Sequence, residues 1–292
     1  MKRGKNKMIE KSLKLIFMIM VLPTSACTPS NIGMNENNNV EKKEVCEMKV
    51  DLNNVNEFLL NKLFECGRIS EAFSIIKFHD NNFTIDERVG IGALLFDYGY
   101  TEQALSYLED AANKNNAEAL YRLGYLYNFS KKYKNTEKSI LFFEKAIEFG
   151  YYDAFYNLGD IFLFEDEYIN IGLSKHYFKE SFKNGNYRSY YGLGEISLRE
   201  GNYDSAEKYF NLCLEKGYDF EGYNGLLNLY FYYNDFKGHD VDKAKEYLDI
   251  ILKMDNSQKY LIAYEFYKSN SKFKSIETAN YYKKIADEKE IE

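Results

Sequence analysis

From about residue 53 to residue 288, apolar and polar positions follow a helical period, and that pattern is itself repeated. The clearest copy is Ala117 to Gly150, AEALYRLGYLYNFSKKYKNTEKSILFFEKAIEFG. Its first half carries Leu120, Leu123, Gly124 and Tyr127 at i, i+3, i+4 and i+7, which makes one apolar helix face. Ser139, Phe143, Ala146 and Ile147 make the same face in the second half, and Gly150 suits the end of a helix. A lone hairpin leaves such faces uncovered, so each copy needs neighbours on both sides.

Several ladders keep step along the chain. Early in each second helix stands a mostly small residue: Ala72, Ala104, Ser139, Ser174, Ala206, Ala244 and Thr278. In the first helices a second ladder runs Leu60, Gly92, Gly124, Gly159, Gly194, Leu227 and Ala263. The glycines, having no Cβ, permit close approach of the partner helix. A third ladder is large (Ile76, Leu108, Phe143, Phe178, Phe210, Leu248, Tyr282), and a fourth, three residues on, is mostly small (Ala111, Ala146, Ser181, Cys213). Large beside small at a fixed offset is what interdigitating helices require. These ladders predict about seven helix-turn-helix units, near 53–84, 85–115, 117–150, 152–185, 187–217, 219–255 and 256–288. The whole folded part, 51–292, is expected to be all-α.

At AEALYRLGYLY and DAFYNLGDIF the chain resembles the first helix of Sel-one-like repeats, and its short-loop units resemble plain tetratricopeptide repeats. It departs from the pattern at Leu227, where glycine is expected, and at Lys259, an expected apolar site. The resemblance implies an α-solenoid, a right-handed superhelix whose groove is lined by the first helices and binds proteins or peptides. It also implies which positions look toward that groove. Tyr121, Tyr156, Tyr191 and Tyr260 share one such position, and Tyr125, Asp160, Glu195, Asn228 and Tyr264 share another, one turn later. One reading makes them an amphipathic aromatic lining, with Asp160 and Glu195 selecting a Lys- or Arg-bearing partner. The other makes the tyrosines part of the repeat packing and the acids ordinary exposed helix residues. The family's carboxylate clamp is missing, since its positions hold Tyr and acids and Arg122 alone is no clamp.

Charge narrows the partners. The chain carries a net −7, and removing residues 1–26 leaves 32 basic against 44 acidic side chains, a net −12. Phosphate repels such a surface, so nucleic acid is not an expected partner. The N-terminus explains why those residues are treated apart. Lys2, Arg3, Lys5, Lys7, Lys11 and Lys14 precede the apolar run Leu15 to Leu22, which is too short to span a bilayer and has the form of a signal peptide. Ser25-Ala26-Cys27 then resembles a bacterial lipobox, with Thr24 where that pattern prefers Leu. This implies lipidation at Cys27 and, with Thr28 following, outer-membrane anchoring facing the periplasm in a diderm host. Residues 27–50 have no sustained apolar period and are expected to be a disordered tether.

Three cysteines follow Cys27: Cys46, Cys66 and Cys213. They do not form a disulfide framework, although Cys46 and Cys66 can pair. Cys213 sits on the small-residue ladder and is expected to be buried. His79, His176 and His239 are isolated, so no metal, cofactor or nucleophile-base site is expected. The leading expectation is therefore a non-catalytic envelope lipoprotein, a scaffold or adaptor that captures another protein. A narrower alternative is an immunity protein that neutralises a secreted toxic effector, such as a type VI secretion lipase or phospholipase. A cell-wall-active enzyme is a third reading, which lacks a nucleophile motif.

Overall fold

The computed structural model describes residues 55–269 and 272–289. The segments expected to be a signal peptide and a tether, and Cys27, lie outside them. Among the described residues there are fourteen α-helices and no strand. The helices are α1 (Glu57–Glu65), α2 (Ile69–His79), α3 (Ile85–Asp97), α4 (Thr101–Ala112), α5 (Ala117–Phe129), α6 (Thr136–Glu148), α7 (Ala154–Phe164), α8 (Ile171–Lys183), α9 (Ser189–Arg199), α10 (Tyr203–Glu215), α11 (Asp219–Tyr232), α12 (Val241–Ile251), α13 (Lys259–Ser269) and α14 (Ile276–Glu288). Consecutive helices form seven hairpins. The described residues fall into two compact units, 55–154, which holds α1–α6, and 155–289, which holds α8–α14 and α7 from its second residue on.

Local chemistry sets the helix boundaries. Asn56, Asn116, Asn135, Asn170, Asn202, Asp240 and Ser275 each accept a hydrogen bond from an amide of the first turn. Thr84 and Glu87 form a reciprocal capping box at α3. Gly150 follows α6 with φ +93, a left-handed conformation that a Cβ would strain.

The ladders become the hairpin interiors. Ala72, Ala104, Ser139, Ser174, Ala206 and Ala244 are all buried. The two serines do more than fit: Ser139 Oγ donates to the Gly124 carbonyl and Ser174 Oγ to that of Gly159, each at 2.8 Å. A Cβ added at Gly92, Gly124, Gly159 or Gly194 would come within 2.8, 2.7, 2.7 or 2.4 Å of Leu108, Phe143, Phe178 or Phe210. The glycine ladder is thus the seat for the large ladder of the same hairpin. At α14 the register differs. Ala279 and Ala286 are buried there, while Thr278 and Ile285 are only half-buried. No later hairpin packs on this helix among the described residues, so its inward face is set by α13 alone.

Candidate protein-binding face

The nine expected groove positions do not share one environment. In α5, Tyr121 and Tyr125 are half-buried. The Tyr121 ring stacks on Tyr151 at 4.6 Å and touches Phe143 at 5.7 Å. Tyr125 meets Phe129, one turn on, at 4.4 Å and Phe96 of α3 edge-on at 6.1 Å. Phe96, Phe129 and Tyr151 are half-buried as well, so two groups of rings, Tyr121 with Tyr151 and Tyr125 with Phe96 and Phe129, make a half-buried aromatic strip on α3 and α5. Arg122 lies within it, and its guanidinium donates to Glu118 Oε1 at 2.9 and 2.6 Å. Sequence reasoning found the two tyrosines and missed the other three rings. Phe129 was within reach, four residues beyond Tyr125, whereas Tyr151 lies outside the helix and carried no periodic signal.

In α7, α9 and α11 the same positions are closed, which corrects the expectation for five residues. Tyr156, Asp160, Tyr191, Glu195 and Asn228 are 5, 3, 2, 1 and 0% exposed, so they do not line an accessible groove. In α9 and α11 close approach to the preceding hairpin is permitted by a second set of glycines that the ladders did not include. A Cβ at Gly192 would lie 2.3 Å from the Phe178 ring of the preceding hairpin, and one at Gly225 would lie 2.2 Å from Phe210. With no side chain there, α9 and α11 settle onto the hairpin before them and shut the face between first helices.

This closed row is polar. Both oxygens of Asp160, Oε1 of Glu195 and both polar atoms of the Asn228 side chain are buried with no hydrogen-bond partner among the described residues. Burial holds the Asp160 carboxyl well above the usual carboxylate range, against the pull of Arg188. Burial likewise pushes Glu195 up to about 7, opposed by Arg199 and by a hydrogen bond from Tyr191. Arg188 is committed elsewhere: its Nε donates to Glu221 at 2.8 Å, and its guanidinium covers the Tyr156 ring at 5.1 Å. The row is therefore a buried polar seam, not an acidic surface patch.

Tyr260 and Tyr264, in α13, are half-buried. Lys268 Nζ lies 4.7 Å from the Tyr264 ring, and Lys259 and Lys289 lie over Tyr260 at 5.3 and 5.5 Å. Lys259, the departure from the apolar pattern, donates from Nζ to the Met254 carbonyl at 2.6 Å. Cys213 is free and fully buried, and burial pushes its thiol up to about 12. Among the described residues no group of three or more His, Cys, Asp or Glu is placed to hold a metal ion. No helix there is long and apolar enough to cross a membrane.

Stacked hairpins with large residues seated on glycines define an all-α helical-repeat fold. A tetratricopeptide-repeat family model matches residues 187–215, which hold α9 and α10. The fold is similar to that of the Sel1 repeat protein from Oxalobacter formigenes, with a TM-score of 0.54 and 21% identity over 80% of this chain and 97% of that one. A protective antigen of uropathogenic Escherichia coli strains, displaying an SLR fold, matches at TM-score 0.46 and 16% identity over 88% of this chain and 64% of its own. No curated protein matches the chain.

Proposed function

We propose that this protein captures another protein through the aromatic strip on α3 and α5, and does so without catalysis. Repeats of this kind generally serve as protein-protein interaction scaffolds, and the strip supplies what such a face needs. The observation that carries the reading is the half-buried state of Tyr125 in ring contact with Phe96 and Phe129, and of Tyr121 in ring contact with Tyr151. Rigid rings give contact area at low entropy cost, and the tyrosine hydroxyls add adaptable hydrogen bonds. Arg122 and Glu118 border the strip and offer charge of both signs to a partner.

The proposed setting is the cell envelope, with the chain exported and held by a lipid on Cys27. The experiment is a pull-down from native membranes with wild type and with Tyr121→Ala/Tyr125→Ala. A partner recovered by wild type and lost with the double variant, whose helicity is unchanged, supports the reading. Recovery of the same partner by both overturns it. The partner's nature then separates the two roles: an endogenous envelope protein fits the scaffold, and a secreted lipase-type toxin fits the immunity protein.

A further inference from the structure

The aromatic strip of α3 and α5 is bordered by more acid than base. Glu57, at the start of α1, and Asp97, the last residue of α3, are both exposed. In α5, Glu118 and Arg122 satisfy each other, with Arg122 Nη2 donating to Glu118 Oε1 at 2.6 Å. Among the described residues neither Glu57 nor Asp97 has an ion-pair partner. Glu57, Asp97 and Glu118 against Arg122 leave this border with a net −2.

A glycine lets Glu57 reach across. Gly90 stands two residues before Gly92, the position that Arg122 holds in α5. A Cβ there would lie 2.4 Å from Glu57 Oε2, so the carboxylate from α1 rests against the bare backbone of α3. Asp97 directly follows Phe96, whose ring meets Tyr125 edge-on at 6.1 Å. Carboxylates without counter-ions beside ring faces suit a cation. Rings attract ammonium and guanidinium groups through their quadrupole, and carboxylates add charge-assisted hydrogen bonds. An anionic segment would meet like charge on the same border. Asp160 and Glu195, expected to select a cationic partner, are buried and take no part in this.

We infer that the protein segment captured by the strip carries Lys or Arg side chains, received between the strip's rings and the carboxylates of Glu57 and Asp97. The inference rests on the strip being the binding face. It also makes capture depend on acidity. Burial pushes the Asp97 carboxyl up to about 6, against the pull of Arg122 from α5 and with Glu57 of α1 adding to the rise. A bound cation favours the ionised carboxylate, so capture weakens as pH falls through about 6.

The test measures fluorescence anisotropy of labelled hexa-arginine and hexa-glutamate with the full chain. Hexa-arginine should bind and hexa-glutamate should not. Glu57→Gln/Asp97→Asn should weaken hexa-arginine binding about tenfold, and Tyr121→Ala/Tyr125→Ala should weaken it as well. Asp255→Asn/Glu277→Gln removes the same charge from exposed positions elsewhere and should leave binding unchanged. Asp97→Asn alone should flatten the loss of binding between about pH 7 and 5. No binding of hexa-arginine, preference for hexa-glutamate, or equal weakening by the two charge-removing pairs overturns the inference. So does a membrane partner lost with the tyrosine variant but kept by Glu57→Gln/Asp97→Asn, an outcome that leaves the strip as the binding face. A partner kept by the tyrosine variant removes the strip itself, and the inference with it.

Discussion

α5 and α9 are copies of one repeat position, yet one leaves its tyrosines half open and the other buries them. Their sequences, AEALYRLGYLY and SYYGLGEISL, differ two residues before the shared glycine, where α5 has Arg122 and α9 has Gly192. Gly192 admits the Phe178 ring of the preceding hairpin, and Gly225 does the same for Phe210 in α11. Tyr121 and Tyr125 keep a free edge while Tyr191 and Glu195 lose theirs. A repeat position therefore does not dictate exposure. The packing of one hairpin on the next does, and α7 is closed with Asn157, not glycine, two residues before Gly159.

The most damaging way to break the comparison is to remove the ring that both glycines of α7 and α9 accommodate. Phe178 is fully buried between Gly159 and Gly192, and Phe178→Ala is expected to cost about 3–5 kcal/mol by leaving a cavity. Denaturant unfolding reads this directly. Gly192→Ala should follow at about 1–3 kcal/mol through overpacking. The reciprocal change at the open face, Arg122→Gly, should cost only the roughly 1 kcal/mol of a glycine within a helix. Equal costs for these two changes would mean that Gly192 is not what closes α9.

Acidity sharpens the contrast next. Glu195 has its folded pKa raised to about 7 by burial, so folding favours its protonated form. Its contribution to stability is greatest below the unfolded-state value, about 4.3. That contribution declines as pH rises through about 7 and is constant above. Glu195→Gln should remove this decline, leaving the variant relatively more stable than wild type at pH 8 than at pH 5. Asp160 works in the same direction, its pKa being raised by burial. Unfolding midpoints across that range, taken as the difference between variant and wild type, check the sign. Tyr121→Phe and Tyr125→Phe should show no comparable pH term.

The smallest expected effect concerns what the two units have in common. Ser139→Ala and Ser174→Ala each remove a buried 2.8 Å hydrogen bond to a first-helix glycine carbonyl, at about 1 kcal/mol apiece. Matching losses would place the difference between units on the face between hairpins, with the hairpin interiors equivalent. Unequal losses would put it inside them.

Much of the fold was legible in advance, because the ladders describe contacts within one hairpin. Gly124 with Phe143 and Gly159 with Phe178 are joined by short stretches of chain, so period and residue size specify them. The candidate site was only partly legible. Tyr156 and Tyr191 have the spacing of Tyr121, but their burial depends on how α9 and α11 sit on the hairpins before them. The strip itself needed Phe96 from another hairpin and Tyr151 from a loop to meet α5.

Taken alone, the sequence determined an all-α chain of about seven hairpins and the pairing of small with large residues inside each. These follow from side-chain volume and helical period, which act over a few residues or a single turn of chain. Tertiary structure decided which first-helix residues face water and which carboxyls are buried. Both depend on how closely one hairpin approaches the next, and that distance is set by the packed side chains of two units at once.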